Sequence, residues 1–441
     1  MIESENVLLE RAAAAVELAS AAGADGSWAT ATATRSTSCR VRDGKLEKMQ
    51  ESNSRRLSMA LYVDGRFFTH STSDLRDEPL KRFVAEAVAL TRAIEPDPHR
   101  ELPDPVLYEG RTATNLEAVD DSLLELTPQR RIERCNELDA LVAGGDKVIS
   151  AMSSLSDGRF TLGAASSNGF SGARSASWIG QYANLTLQGE GDRRPEGGMG
   201  ASARHAEDLP DTKWIGEEAR RRAFARLGST KGPTTTTTLV VDRLSVPRLL
   251  YALIGPAGGR ALQQGQSFWK DIQGKPVISD VLTVTDDPHI PRAMGSRPFD
   301  GEGIASKPMP ILGGGALQNV YVDTYYGRKL GLPPTTGGSS NLVVGLGKGD
   351  LASLCKDVGE GVYVTSWLGG NSDGTTGEFS LGLRGHLIEG GEIGRPVGEM
   401  NVTGNLLEFW SKLKLVGDDP WTYGSAHTPT MVFDGVAFSG A

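Results

Sequence analysis

The chain has 441 residues, of which 39% are hydrophobic and 23% are charged, and its net charge at pH 7 is -9. This acidic balance argues against nucleic acid or an anionic membrane as the main partner. No uncharged apolar run reaches the ~18 residues of a spanning helix, and the N-terminus lacks a basic signal-peptide start. Three well-separated cysteines, with no CxxC pair, favour a reducing compartment, and we expect a cytoplasmic protein.

The first half of the chain alternates groups of strands with helices. Asp43-Gly44 and Asp64-Gly65 predict tight hairpin turns. Predicted helices cover residues 5–22, 75–94, 128–141 and 214–227. Predicted strands cover 28–41, 45–52, 56–63, 66–72, 147–154, 159–167 and 174–188, and residues 189–205 are expected to form a mobile Gly-rich loop. This order predicts an antiparallel sheet with helices, an N-terminal α+β domain spanning 1–228.

The second half, residues 229–441, is predicted to be a β-rich domain with one leading helix near 245–264. Of the 55 glycines, 29 lie in residues 301–441, which indicates many turns between short strands. The clearest hairpin has Phe379, Leu381 and Leu383 alternating on one arm, with its turn at Gly390-Gly391. The sequence therefore predicts two domains of the α+β class.

Common catalytic motifs are missing from the sequence. No phosphate-binding loop is present, and no two of the six histidines have the i, i+4 spacing of an HExxH zinc helix. One cluster combines carboxylates with imidazole, the chemistry of a divalent metal site or of acid–base catalysis. It comprises Asp286, Asp287, His289 and Glu302. A loop whose carboxylates only cap turns is the simpler explanation of the same residues, because nothing in their spacing forces them together.

Several short motifs in a fixed order resemble the TldE/PmbA family, over nearly the whole chain and most strongly over 283–405. They include Asp287-Pro-His289, Pro298-Phe-Asp-Gly-Glu-Gly303, Tyr325-Tyr-Gly-Arg-Lys-Leu-Gly331, Thr376-Gly-Glu-Phe-Ser380, Ile388-Glu-Gly-Gly-Glu-Ile393, Pro396-Val-Gly-Glu-Met400 and Val416-Gly-Asp-Asp419. The resemblance implies the PmbA/TldD-like fold. It also implies a heterodimer with a TldD-like catalytic subunit, which binds zinc through an HExxxH motif and a cysteine.

The same resemblance places this chain's residues at the zinc-ligand positions. Tyr251 and Pro256 fall at the two histidine positions, Ala252 at the glutamate position, and Tyr423 near the cysteine position. Alanine has no carboxylate, proline has no ligand atom, and tyrosine binds a metal only after losing a proton of pKa ~10. We therefore expect no metal or catalytic residue in this chain, and zinc only in the TldD-like partner.

The resulting interpretation is an accessory, zinc-less subunit that completes the substrate cleft of a metalloprotease acting on unfolded or modified peptides. An extended peptide could add to a strand edge. Candidate cleft residues are Thr376, Gly377, Glu378 and Phe379, although an ordinary hairpin explains them as well. Two alternatives stay open. One is a self-standing hydrolase with a metal site around Asp286, His289 and Glu302; the other is a homodimeric peptide-binding protein without catalysis.

Overall fold

A computed structural model describes residues 3–440 and confirms the α+β class. The helices are α1 (Glu5–Ala21), α2 (Asp77–Thr91), α3 (Pro128–Val142), α4 (Thr212–Phe224), α5 (Val246–Ile254), α6 (Gly259–Gln263), α7 (Thr324–Leu330), α8 (Leu351–Val358) and α9 (Leu406–Ser411). Within residues 3–440, no helix is both long enough and apolar enough to span a membrane.

Two groups of strands build the sheets. The N-terminal group is β1 (Gly26–Arg42), β2 (Lys45–Val63), β3 (Arg66–Thr72), β4 (Val148–Ser166), β5 (Ser171–Leu187) and β6 (Glu196–Ala203). The C-terminal group is β7 (Thr230–Lys231), β8 (Thr235–Val241), β9 (Val284–Asp286), β10 (Met309–Gly313), β11 (Ala316–Leu317), β12 (Leu342–Val344), β13 (Gly361–Ser372), β14 (Glu378–Glu389), β15 (Glu392–Asn405), β16 (Leu413–Val416), β17 (Ala426–His427) and β18 (Met431–Ser439).

The N-terminal strands form one antiparallel sheet in the order β3-β2-β1-β4-β5-β6. The predicted hairpin turns are confirmed, since Asp43 and Gly44 have φ of 50° and 74°, and Asp64 and Gly65 have 51° and 72°. These are the positive angles that a two-residue turn between twisted strands requires. The turns fix the register of β1, β2 and β3.

One face of this sheet is covered by helices. Along β1, Ala29, Ala31 and Ala33 pack with α1 and α2, and Cys39, further along the same face, packs with α3. Alanine keeps these side chains short, so the helices lie close to the strands. At Gly163 the approach is closest, because a Cβ there would lie 2.2 Å from the backbone nitrogen of Leu9 on α1.

A buried ion pair ties α3 to the same sheet. The Arg131 guanidinium donates to both carboxylate oxygens of Asp157 on β4, at 2.6 and 2.7 Å. The two side chains are only 2% and 5% exposed. A two-point pair of this kind fixes the orientation of α3, because neither charge can be left alone in the interior without a large penalty.

The C-terminal strands form a seven-stranded sheet in the order β16-β18-β8-β13-β14-β15-β7. A further pairing, Val402 with Phe438, joins β15 to β18, so β18, β8, β13, β14 and β15 form a closed ring. The predicted hairpin of β14 and β15 is confirmed, with Glu389 opposite Glu392 around Gly390-Gly391. A smaller sheet, β11-β10-β9-β12-β17, packs with α5 into the same hydrophobic core.

Four of the predictions for individual elements are wrong. Residues 45–52 and 56–63 form one strand, β2, and residues 147–154 and 159–167 form one strand, β4. The expected mobile loop over 189–205 contains strand β6, whose Met199 and Ala201 are buried. The helix expected over 245–264 divides into α5 and α6, with a 3-10 turn at Gly255–Ala257, because Pro256 cannot donate to the helix ladder.

Candidate functional site

Helix α5 carries the first group of predicted site residues. Its Leu249, Leu250 and Leu253 are fully buried, and they turn the opposite side of the helix outward. Tyr251 lies on that side and is 43% exposed. Its Oη lies 3.2 Å from the Oγ of Ser425, in the loop before β17. The position to which the resemblance assigns a first histidine therefore faces the C-terminal loop.

The other two positions on this helix offer no ligand. Ala252 is half-buried and packs on the C-terminal core. Pro256 is buried in the 3-10 turn after α5, against the turn between β13 and β14; a Cβ on Gly374 would lie 3.2 Å from the Pro256 Cγ. The resemblance implies zinc for the family, but an alkyl group, a pyrrolidine ring and a phenol bound to serine do not fit Zn²⁺.

The Tyr423 side chain is held by aromatic packing. Its ring centroid lies 4.7 Å from that of Trp421, and both residues pack against the core formed by α3, α4 and the N-terminal sheet. Trp421 also stacks on Trp214 of α4 at 6.3 Å. This loop therefore joins the two parts of the chain. The contact to Tyr251 comes from Ser425, two residues further on.

The carboxylates of the second predicted cluster are held in separate places. Asp286 on β9 is buried and accepts from the Ser340 backbone N–H and from the Tyr321 hydroxyl, at 2.9 Å each. Glu302 accepts from the backbone N–H and the hydroxyl of Thr324 at the start of α7, at 2.8 Å each. Burial is the largest cause of a raised pKa at Glu302. Each carboxylate thus serves a different element.

The remaining members of that cluster form a turn. The Asp287 carboxylate accepts from the His289 backbone N–H at 2.9 Å, while the His289 Nε2 is buried and has no hydrogen-bond partner in the described chain. Within residues 3–440, no three His, Cys, Asp or Glu side chains are grouped closely enough to hold a metal ion. The arrangement matches the capping interpretation of these residues and offers no assembled acid–base site.

The predicted cleft residues form the turn between β13 and β14 and the start of β14. The Thr376 carbonyl accepts from the Asn405 side chain at 2.8 Å, and the Gly377 carbonyl accepts from the Leu406 N–H at 2.7 Å. Phe379 is buried against Phe409, whereas Thr376 and Glu378 are exposed. Because both carbonyls are already bonded within the chain, only exposed side chains are available to a peptide here.

Two contacts of this region escaped the sequence analysis, Ser425 with Tyr251 and Tyr321 with Asp286. Burial, followed by the nearby Asp286, raises the pKa of Tyr321 above its ordinary value. The partners are separated by 174 and 35 residues respectively. Neither belongs to a short motif, and sequence periodicity cannot report contacts across such separations. The small sheet that brings β9, β12 and β17 side by side creates this neighbourhood.

The fold and the sequence can now be compared with known proteins. Profiles of the PmbA/TldA metallopeptidase domain 1, central domain and C-terminal domain match residues 31–91, 121–227 and 234–440. The helix-covered antiparallel sheet and the closed C-terminal sheet thus define a chain of metallopeptidase architecture. The chain belongs to the PmbA/TldD metallopeptidase family.

Named relatives agree with this assignment. Metalloprotease PmbA of Escherichia coli O157:H7 is 27% identical over 427 residues, covering 95% of this chain and 93% of that protein. The Haemophilus influenzae PmbA homologue is 27% identical over 440 residues, covering 99% of this chain and 97% of that protein. The likeness therefore extends over both parts of the chain.

Solved structures show the same fold. A Bacteroides thetaiotaomicron protein, named as a candidate modulator of DNA gyrase, is 37% identical to this chain and superposes on it with a TM-score of 0.96. The match covers 100% of both chains. TldE of Thermococcus kodakarensis is 18% identical with a TM-score of 0.86, covering 98% of this chain and 100% of that one. At 18% identity the second likeness concerns the fold alone.

Proposed function

We propose that this chain is the zinc-less, non-catalytic subunit of a heterodimeric metalloprotease, and that a TldD-like chain supplies the zinc and the catalytic residues. The observation that carries the proposal is the set of side chains at the expected ligand positions on α5 and just after it. Tyr251 is bonded to Ser425, Ala252 is packed on the core, and Pro256 is buried. None of the three supplies a histidine nitrogen or a carboxylate.

The proposal assigns a structural role to the side of the molecule around α5. In a metallopeptidase that keeps an open zinc position for water, the general base must reach that water within hydrogen-bond distance. Ala252 cannot do so. A chain of this kind therefore contributes binding surface and not chemistry, and we propose that it helps to hold an extended, unfolded or modified peptide beside the partner's metal.

We further propose that the complex works in the cytoplasm. Cys39, Cys135 and Cys355 are all buried and unpaired within the described chain. Burial raises the pKa of each thiol, that of Cys355 to about 11, which keeps the thiols protonated and unreactive. Free thiols that form no disulfide bond are typical of a reducing compartment.

The test compares three preparations: this chain alone, a TldD-like chain alone, and their mixture. The proposal expects stoichiometric zinc and peptidase activity only where the TldD-like chain is present, with activity on an unfolded peptide highest in a stable complex. A Glu→Gln change in the partner's HExxxH motif should abolish the activity of the complex. One zinc bound by this chain alone, or cleavage by it alone, would overturn the proposal.

The same preparations separate the other functions. A homodimer that binds peptide and ignores the TldD-like chain would identify a binding protein without catalysis. Size-exclusion chromatography of the mixture gives this result directly. A self-standing hydrolase would lose its activity on substitution of His289 by alanine, a side chain whose Nε2 has no partner in the described chain.

A further inference from the structure

A cleft runs between the N-terminal sheet and the C-terminal sheet, away from α5. It consists of two adjoining cavities of about 430 and 480 Å³ that share Arg226 and Pro396. One wall is the start of β6 with the end of α4, and the other wall is the hairpin of β14 and β15. Gly197, Gly198 and Gly394 are among the residues that line it.

The arginines along this cleft differ in how their charge is balanced. At one end, Arg221 and Arg222 both pair with Glu218, at 2.6 and 2.7 Å. Arg222 also pairs with the buried Asp242 at 2.9 Å. Carboxylates of the protein therefore neutralise these two guanidinium groups, which leaves little net charge for a ligand.

Further along the cleft, Arg226 and Arg384 lack such partners. Within residues 3–440, Arg384 forms no ion pair and donates no side-chain hydrogen bond, and Arg226 donates only to the carbonyl of Glu196. Burial, followed by the charge of Arg384, lowers the pKa of Arg226 to about 10. Within the described chain neither half-buried guanidinium is in an ion pair, although the charge of Glu196 acts on Arg226, and Glu190 and Glu399 line the same cavity.

A buried histidine lines the same cleft. His386 on β14 is 7% exposed, and its Nε2 lies 3.0 Å from the Ala225 carbonyl. Because that nitrogen must donate to the carbonyl, the neutral ring leaves Nδ1 as an acceptor, and this atom has no partner in the described chain. A buried polar atom of this kind is normally bonded, and this unpartnered one lies in the wall of the cleft.

We propose that this cleft binds a carboxylate carried by a peptide, with Arg226 and Arg384 holding the carboxylate beside the wall that contains His386. Guanidinium groups bind carboxylates and phosphates with similar geometry. The volume of the two adjoining cavities, about 430 and 480 Å³, exceeds the size of a single ion and favours a peptide. Arg193 and Glu399, which also line the second cavity, lie 3.8 Å apart. The inference does not depend on a catalytic partner.

Binding of octapeptides with an uncharged dansyl group at the N-terminus to the full chain tests the proposal. One peptide carries a central glutamate and a free C-terminus, a second has the C-terminus amidated, and a third has the glutamate replaced by glutamine as well. The third should bind at least about ten-fold more weakly, the effect of losing a charge-assisted pair. Comparison of the first two shows whether the side-chain or the C-terminal carboxylate is the one bound.

Substitutions locate the site. Arg384→Gln should weaken binding of the glutamate peptide about ten-fold and remove most of its dependence on salt between about 0.05 and 0.5 M. Arg82→Gln, on the exposed side of α2, removes the same charge far from the cleft and should bind like the unaltered chain. Arg226→Gln provides a second variant, and circular dichroism shows that each variant is folded.

Three results would overturn the proposal. The first is that the glutamine peptide with an amidated C-terminus binds as tightly as the glutamate peptide, and the second is that both arginine variants bind as tightly as the unaltered chain. The third is that inorganic phosphate alone displaces the peptide at a concentration equal to the peptide's own Kd. The last result would show that the cleft selects an isolated anion and that the peptide contributes nothing.

Discussion

The hydroxyl of Tyr251 lies 3.2 Å from the hydroxyl of Ser425, which follows it by 174 residues. This contact joins α5 to the loop that precedes β17, the two places from which the proposed partner would take its zinc ligands. Here one of the two hydroxyls donates a hydrogen bond to the other. The surface that would surround a metal in the catalytic subunit is in this chain a neutral, hydrogen-bonded contact.

Substitution of Tyr251 by phenylalanine tests the meaning of that contact. We expect no change in the zinc content or the peptidase rate of the complex, because the phenol is not a ligand in the proposed arrangement. The free energy of unfolding should fall by about 1 kcal/mol or less, since only one partly exposed hydrogen bond is lost. Metal analysis and initial rates check the result, and loss of zinc would show that Tyr251 is a ligand.

The buried pair of Arg131 and Asp157 makes a second prediction. Asp157→Asn leaves a guanidinium that is 2% exposed without its counter-charge, and should lower the free energy of unfolding by about 3–5 kcal/mol. The matched control is Glu133→Gln, which breaks the pair with Arg130 at 74% and 39% exposure. That change should have a much smaller effect, because solvent screens an exposed pair. Urea unfolding measures both, and equal effects would contradict the prediction.

The raised pKa of Glu302 predicts that the stability of the folded chain depends on pH. Because burial raises its pKa in the folded chain, the folded state holds a proton that the unfolded state has released. Its contribution to stability is therefore lost as the pH rises from the unfolded pKa of ~4.3 through the raised folded value. Glu302→Gln should remove this loss, so the variant gains stability relative to the unaltered chain with rising pH. The exposed Glu109→Gln controls for the removal of a charge.

The lowered pKa of His427 predicts a pH dependence of stability with the opposite sign. Burial lowers the pKa of this imidazole, so the unfolded chain takes up a proton at a pH where the folded chain does not. Stability from this group is present above the unfolded pKa of ~6.5 and is lost as the pH falls toward the lowered value. His427→Gln should therefore flatten the decline in the free energy of unfolding between about pH 7.5 and 5.5. An unchanged decline would show that other groups cause it.

The local signals in the sequence predicted much of the N-terminal sheet and missed its continuity. The Asp-Gly turns are correct because positive φ is a property of a few residue types. The predicted strands leave gaps at residues 53–55 and 155–158, yet β2 and β4 continue through them. Strand pairing supplies what local propensity lacks: Asp157 meets Arg131, and a Cβ at Gly158 would lie 2.3 Å from the Trp178 ring.

The candidate site was less accessible to sequence analysis. The resemblance assigned roles to Tyr251, Ala252 and Pro256, and the structure adds the partner of each, namely Ser425, the C-terminal core and the turn at Gly374. The predicted cluster around Asp286 and Glu302 was near in sequence, but hydrogen bonds direct these carboxylates to different elements. The cleft at Arg384 could not be predicted, because isolated arginines far apart in a chain carry no spacing signal.

Strand β8 lies between β13 and β18 in the closed C-terminal ring, and it pairs with both. A ribosome makes residues 235–241 long before it makes residues 361–364, which pair along one edge, and 431–438, which pair along the other. Both edges of this strand therefore stay open during most of the synthesis of this half. We expect the N-terminal sheet to fold while the chain is still being made, and the C-terminal ring to close afterwards in a single event. Any subunit that docks on the ring must wait for that event.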